Sequence, residues 1–165
     1  MNIRIEIASE SSAWNHHPEI NNQLFSSLVT NILSRYPNLA ALDEVELSIL
    51  LTNNEAMKKL NQEFRQNNKP TNVLSFPDIE IDWRKIVEFQ PEANYMYLGD
   101  ISFGYDIIKS EALDKDIDFQ DHFIHLATHA ILHLLGYDHI TEEEAIVMEN
   151  IEIEMMKILG IKSPY

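Results

Sequence analysis

The amino-acid sequence predicts an α+β fold, a small mixed β-sheet packed with helices, in a single domain over residues 1–165. Three observations carry this expectation. Apolar residues alternate at a period of two in short stretches of the first two thirds of the chain. They recur at helical spacing through the last third. Hydrophobic residues make up 45% of the 165 and only four are glycine, a composition that builds a core rather than a linker.

The elements follow in order. NIRIEIA alternates Ile3, Ile5 and Ile7 and reads as a strand. Pro18 suits a first helical turn, and Ile20, Leu24, Leu28, Ile32 and Tyr36 continue the pattern. EVELSILLT alternates Val45, Leu47, Ile49 and Leu51, a second strand. Asn53 or Asn54 caps the next helix, whose apolar side holds Met57, Leu60 and Phe64 and which Pro70 ends. TNVLSF is a short strand stopped by Pro77. Residues 78–95 are acidic, carry Trp83 and show no clean period. MYLGDISFG returns to strand character, with Gly99 and Gly104 expected at its sharply turning ends. Helices are expected at about 104–115, 118–135 and 141–159.

Composition excludes several functions. There is no cysteine, so no disulfide, thiolate zinc site or cysteine nucleophile exists. The formal charge is −15, which argues against broad attraction to nucleic acid or anionic membrane. Neither DNA nor a membrane is expected as a partner. The start lacks the apolar stretch of a secretory signal, no run approaches membrane-spanning length, and a cytoplasmic location is expected.

Five of the seven histidines lie between residues 122 and 139. In HAILHLLGYDH, residues 129–139, His129 and His133 are four apart and share one helix face. Gly136 can take the left-handed conformation that ends a helix. The chain can then reverse and return His139 toward the same ion. The spacing is that of the metzincin zinc motif without its glutamate, whose place Ala130 takes. The fold prediction therefore includes a zincin-like metal-binding helix. Three imidazoles leave one coordination position open, the catalytic rather than the structural pattern.

His125 extends the stripe one turn earlier, as a ligand-supporting residue, substrate contact or proton carrier, or as a hydrogen-bonded packing residue. His122 is expected to face solvent, and His16 and His17 have no assigned role. Without the glutamate, a standard peptidase lacks its base. A phosphodiester substrate fits better, because a cation can neutralise its oxygens. Lys58, Lys59, Arg65 and Lys69 cluster in MKKLNQEFRQNNKP. Arg65 is the best phosphate contact among them, since guanidinium grips phosphate in a fixed fork.

HAILHLLGYDH closely resembles a motif of the YbeY family of bacterial metal-dependent endoribonucleases and rRNA maturation factors. RQNNKPTNVLSFP (65–77) and LGDISF (98–103) resemble two further motifs of that family, in order and spacing. The resemblance implies one zinc ion held by His129, His133 and His139, with Arg65 as the functional arginine near it. It implies cleavage of single-stranded RNA, maturation of the 3′ end of small-subunit rRNA, ribosome quality control, and the ribosome as partner. The attacking group, water or the RNA 2′-hydroxyl, stays open. So do two other readings: a metallopeptidase or amidase with another base, and a non-catalytic ribosome-assembly factor.

Residues 78–97 form a longer connection than the family's usual one, and Trp83, Tyr95 and Tyr97 there either stack on a base or pack locally. Asp138 is assigned to the turn. In the last helix Glu142, Glu143, Glu144, Glu149, Glu152 and Glu154 are read as a solvated face. Ile146, Met148, Ile151, Met155 and Ile158 are read as the core-facing side.

Overall fold

The structure, a computed structural model, describes residues 1–165. A four-stranded mixed sheet runs in the order β1-β2-β4-β3. Strands β1 (Asn2–Ser9), β2 (Glu44–Thr52) and β4 (Tyr95–Gly104) are parallel to one another. The short edge strand β3 (Val73–Pro77) lies antiparallel to β4. Helices α1 (Asn22–Leu33), α2 (Pro37–Ala40), α3 (Asn54–Arg65), α4 (Tyr105–Asp114), α5 (Phe119–Leu134) and α6 (Glu142–Ile158) complete the fold. The expected α+β class and its mixed sheet are what the structure has.

Register places the alternating apolar residues on one face. Ile5, Leu47 and Gly99 align across three strands, as do Ile7, Ile49 and Ile101. Helices α1 and α5 cover that face and touch each other. Phe25 of α1, Phe103 of β4 and Phe123 of α5 meet there with ring centroids 4.6–6.0 Å apart. α5 is buried on nearly every side, as a core helix must be when sheet and helices surround it. The Ser75 hydroxyl donates to the Ala130 carbonyl (3.2 Å), tying β3 to the middle of α5.

Several boundaries differ from expectation. The helix after Pro18 starts at Asn22, because the Asn21 side chain accepts from the Leu24 N–H and caps it, while Pro18 sits in the preceding turn. α3 ends at Arg65, well before Pro70. Gln66 takes the left-handed conformation (φ 55°), and the Asn67 N–H closes onto the Asn61 carbonyl. Gly99 is not at a strand end. It sits within β4 at a bulge, where Tyr97 pairs with Glu46 and Gly99 with Leu47, leaving Leu98 as the extra residue. The bulge lets Met96, Leu98, Ile101 and Phe103 all be buried while Asp100 faces out. Gly104 does lie at the strand's end, where α4 begins.

α6 is rotated relative to its expected orientation. Met148, Ile151, Glu152, Met155 and Met156 are buried, whereas Ile146 and Ile158 are exposed. Residues 78–95 form short 3-10 turns at Trp83–Glu88 and Glu92–Asn94. Ile81 and Ile86 anchor this segment in the core. Trp83 stacks on Tyr137 (5.4 Å, 24°), Tyr95 bonds Glu46 and Tyr97 bonds Ser48. Trp83 thus packs locally, while Tyr95 keeps an exposed ring with its hydroxyl tied to Glu46.

Gly136 has φ +88°, and a Cβ built there would lie 1.8 Å from the Ile81 carbonyl oxygen. Both the conformation and the contact exclude a side chain. Gly136→Ala is expected to cost roughly 3 kcal/mol, combining backbone strain with overpacking. Urea denaturation reads this directly, and a loss below about 1 kcal/mol, the size of an ordinary substitution, would contradict it.

Candidate metal centre

The Asp118 carboxylate caps α5 by accepting from the Gln120 and Asp121 N–H groups. The helix then carries His125, His129 and His133 along one stripe at four-residue spacing. It closes through Gly136, with the Tyr137 N–H on the Leu132 carbonyl. This turn sends the chain back so that His139 joins the stripe. Asp138 supports the turn, its carboxylate accepting from the His139 N–H at 2.8 Å. The rings of His129, His133 and His139 have centroids 4.5, 5.3 and 5.2 Å apart. One potential ligand atom from each lies within 4.8 Å of the others. The structure thus brings together all three histidines singled out by spacing.

Hydrogen bonds fix which nitrogens face inward. His133 Nδ1 lies 2.8 Å from the Tyr137 carbonyl, which can only accept, so Nδ1 carries the proton. His129 Nδ1 lies 2.5 Å from Glu152 Oε1, which assigns its proton the same way. Both Nε2 atoms are then bare lone pairs, yet they face each other at 3.0 Å. Two bare acceptors at that distance repel unless they share a proton or a metal ion. The donor set therefore fits a metal ion. With three imidazoles and no thiolate, it suits borderline metals of the zinc, nickel and copper kind.

Three further residues shape the site. Glu152 of α6 has no exposed surface, and its carboxylate accepts from His129, His125 (3.1 Å) and the Tyr165 phenol. Reading the α6 glutamates as one solvated face was wrong for Glu152. The signal was present in the sequence: residue 152 stands four after Met148 and three before Met155, inside the buried stripe. Tyr165 had no signal. His122 also departs from expectation. It is buried, with Nε2 on Glu111 at 2.6 Å, and Glu111 in turn accepts from Asn72. This network joins α4, α5 and the start of β3. His125 is a hydrogen-bonded neighbour of the site.

The histidines open onto a cleft of about 670 Å³ bounded by β3, residues 79–81 and the turn after α5. Arg65, exposed at the last turn of α3, lines the same cleft. Its Nη2 donates to the Ser75 carbonyl of the edge strand at 3.1 Å. Ala130, where a zinc peptidase would hold its glutamate, is wholly buried. No helix is long and apolar enough to cross a membrane.

Burial, reinforced by the neighbouring His129 and His139, lowers His133 from 6.5 to about 4. Burial alone would raise Glu152, but the hydrogen bonds from His125, His129 and Tyr165 outweigh it and bring the carboxyl down to about 2. The signs set two pH windows for the metal-free protein. Between pH 6.5 and 4 the unfolded chain holds a proton on residue 133 that the folded chain does not, so stability falls as pH falls. The Glu152 contribution is complete above 4.5 and is lost as pH drops toward 2. With chelator present, the melting temperature is expected to fall from pH 6.5 downward, and His133→Gln is expected to flatten the upper window. A wild-type melting temperature constant to pH 4 would contradict the assignment.

Comparison with known proteins gives the family. A family model described as Endoribonuclease YbeY matches residues 11–160. A protein of Rhodopseudomonas palustris named Endoribonuclease YbeY is 45% identical over 120 residues, which take in 73% of this chain and 60% of that protein. The chain thus aligns with about three fifths of that relative's length. The solution structure of TM1509 from Thermotoga maritima is alike in fold, with a TM-score of 0.54 at 22% identity, covering 96% of this chain and 91% of the other. With the family model spanning all but the two ends of the sequence, the chain belongs to the YbeY family.

Proposed function

We propose that this protein is a zinc-dependent endoribonuclease that cleaves single-stranded RNA, with residues 1–165 forming one metal-dependent hydrolase domain. The observation that carries the reading is a cleft in which three inward-facing imidazoles and one free-ended guanidinium line the same wall-to-wall space. In this reading His129, His133 and His139 hold the ion. When bound, zinc supplies a Lewis acid beside the scissile phosphodiester and lowers the pKa of water. Family membership and the relative's name support RNA as the substrate.

Each residue then has a defined task. His129 and His133 arrive with Nδ1 protons already committed, so their Nε2 lone pairs need no reorganisation. Arg65 spends one N–H on the Ser75 carbonyl, which aims the guanidinium along β3 and leaves its other donors for phosphate oxygens. The buried Ala130 methyl leaves no peptidase base at that position. The biological setting we propose is maturation of the 3′ end of small-subunit rRNA and ribosome quality control in the cytoplasm. With a net charge of −15, delivery on the ribosome would compensate for weak intrinsic attraction to RNA.

Single-stranded RNA and a peptide, incubated in parallel with and without chelator, test the proposal. RNA cleavage that chelator abolishes and zinc restores is expected. Arg65→Ala should lower kcat/KM for RNA by about a hundredfold, the scale of losing one charged donor at a transition state. His133→Ala should abolish cleavage while the protein stays folded. Peptide cleavage alone would overturn the nuclease reading. Full RNA processing by folded, metal-free His133→Ala would favour a non-catalytic assembly role.

A further inference from the structure

We propose that Glu152 is a positioning residue for the metal site, holding His129 in its metal-binding tautomer, with Tyr165 closing over it. This rests on reading the histidine triad as a metal centre. It adds a residue that lies outside the local motif, on another helix.

The electrostatics of Glu152 carry the inference. The side chain is completely buried, and its ion-pair partners are histidines alone, with no lysine or arginine. A buried carboxylate without a basic partner is costly, and proteins keep such groups where another positive charge balances them. Here the balancing charge has an evident place. Glu152 Oε1 grips Nδ1 of His129, and the opposite nitrogen of that ring points at His133 Nε2 across 3.0 Å. A cation between the two rings sits one imidazole away from the carboxylate. A carboxylate on the far nitrogen of a ligand histidine fixes its orientation and raises its basicity.

Tyr165 completes the arrangement. Its hydroxyl donates to Glu152 Oε2, and its ring meets that of His125 edge-on at 5.5 Å. It occupies the oxygen that His129 does not use and also lines the cleft. Both carboxylate oxygens are thereby committed, so Oε1 stays with His129. Glutamine in place of Glu152 would keep the shape but accept at only one oxygen. Its amide protons would oppose either the His129 Nδ1–H or the Tyr165 hydroxyl, and the negative charge would be gone.

The test compares wild type, Glu152→Gln and Tyr165→Phe by zinc competition against a chromophoric chelator at fixed pH. The imidazole ¹⁵N shifts of His129 are read in the metal-free proteins. Glu152→Gln is expected to weaken zinc binding by about 10- to 100-fold and to replace the single Nδ1–H tautomer of His129 by a mixture. Tyr165→Phe is expected to weaken zinc less than Glu152→Gln does. A variant that melts earlier but binds zinc within twofold of wild type, with the tautomer unchanged, would reduce Glu152 to packing and overturn the inference. Should Glu152→Gln fail to fold, wild type alone decides, because an Nε2–H tautomer for His129 would overturn the inference. Absence of zinc binding by wild type would instead bring down the metal-centre reading beneath it.

Discussion

Two imidazole nitrogens, Nε2 of His129 and Nε2 of His133, face each other at 3.0 Å. That constraint organises the site. It arises because the other nitrogen of each ring is already a donor, to a backbone carbonyl for His133 and to a buried carboxylate for His129. The rings are thereby prepared for a cation before one arrives. Preparation lowers the cost of binding, since neither tautomer nor rotamer must change.

Much of the fold serves to hold this pair still. α5 is buried on nearly all sides, braced by the phenylalanine contacts to α1 and β4 and by the Ser75 bond from β3. A helix so enclosed cannot roll, so the stripe bearing its histidines keeps one direction. The turn after it is equally constrained. Gly136 leaves no room for a side chain against Ile81, and Tyr137 is held by Trp83 and by a 2.6 Å bond to the Tyr36 hydroxyl. His139 depends on that turn for its position. Ile81 and Trp83 thus pack against the turn that precedes His139.

The local part of the site was legible in the sequence because its geometry is local. Residues four apart on a helix must share a face, and a glycine three residues later is suited to end the helix and turn the chain. The three histidines and the sheet-plus-helices architecture follow from such short-range rules, and three ordered motifs pointed to the family. What escaped was long-range. Glu152 lies 23 residues from the ring it holds, and among neighbouring glutamates it looked like one more solvated charge. Its place between Met148 and Met155 was the available clue, obscured by counting Ile146 and Ile158 as core. His122 was misjudged because α5 buries almost its whole circumference, so an off-stripe position was not a solvent position. The β4 bulge likewise hid behind an alternation that skips one residue at Gly99.

Convergence of three imidazoles on one cation is the claim on which the rest stands. Anomalous diffraction at the zinc edge, from crystals grown with zinc, tests it most directly. The account predicts one strong peak at about 2.0–2.1 Å from Nε2 of His129, Nε2 of His133 and a ring nitrogen of His139, with no fourth protein ligand. A peak elsewhere, or one closed off by a fourth side chain, would contradict it.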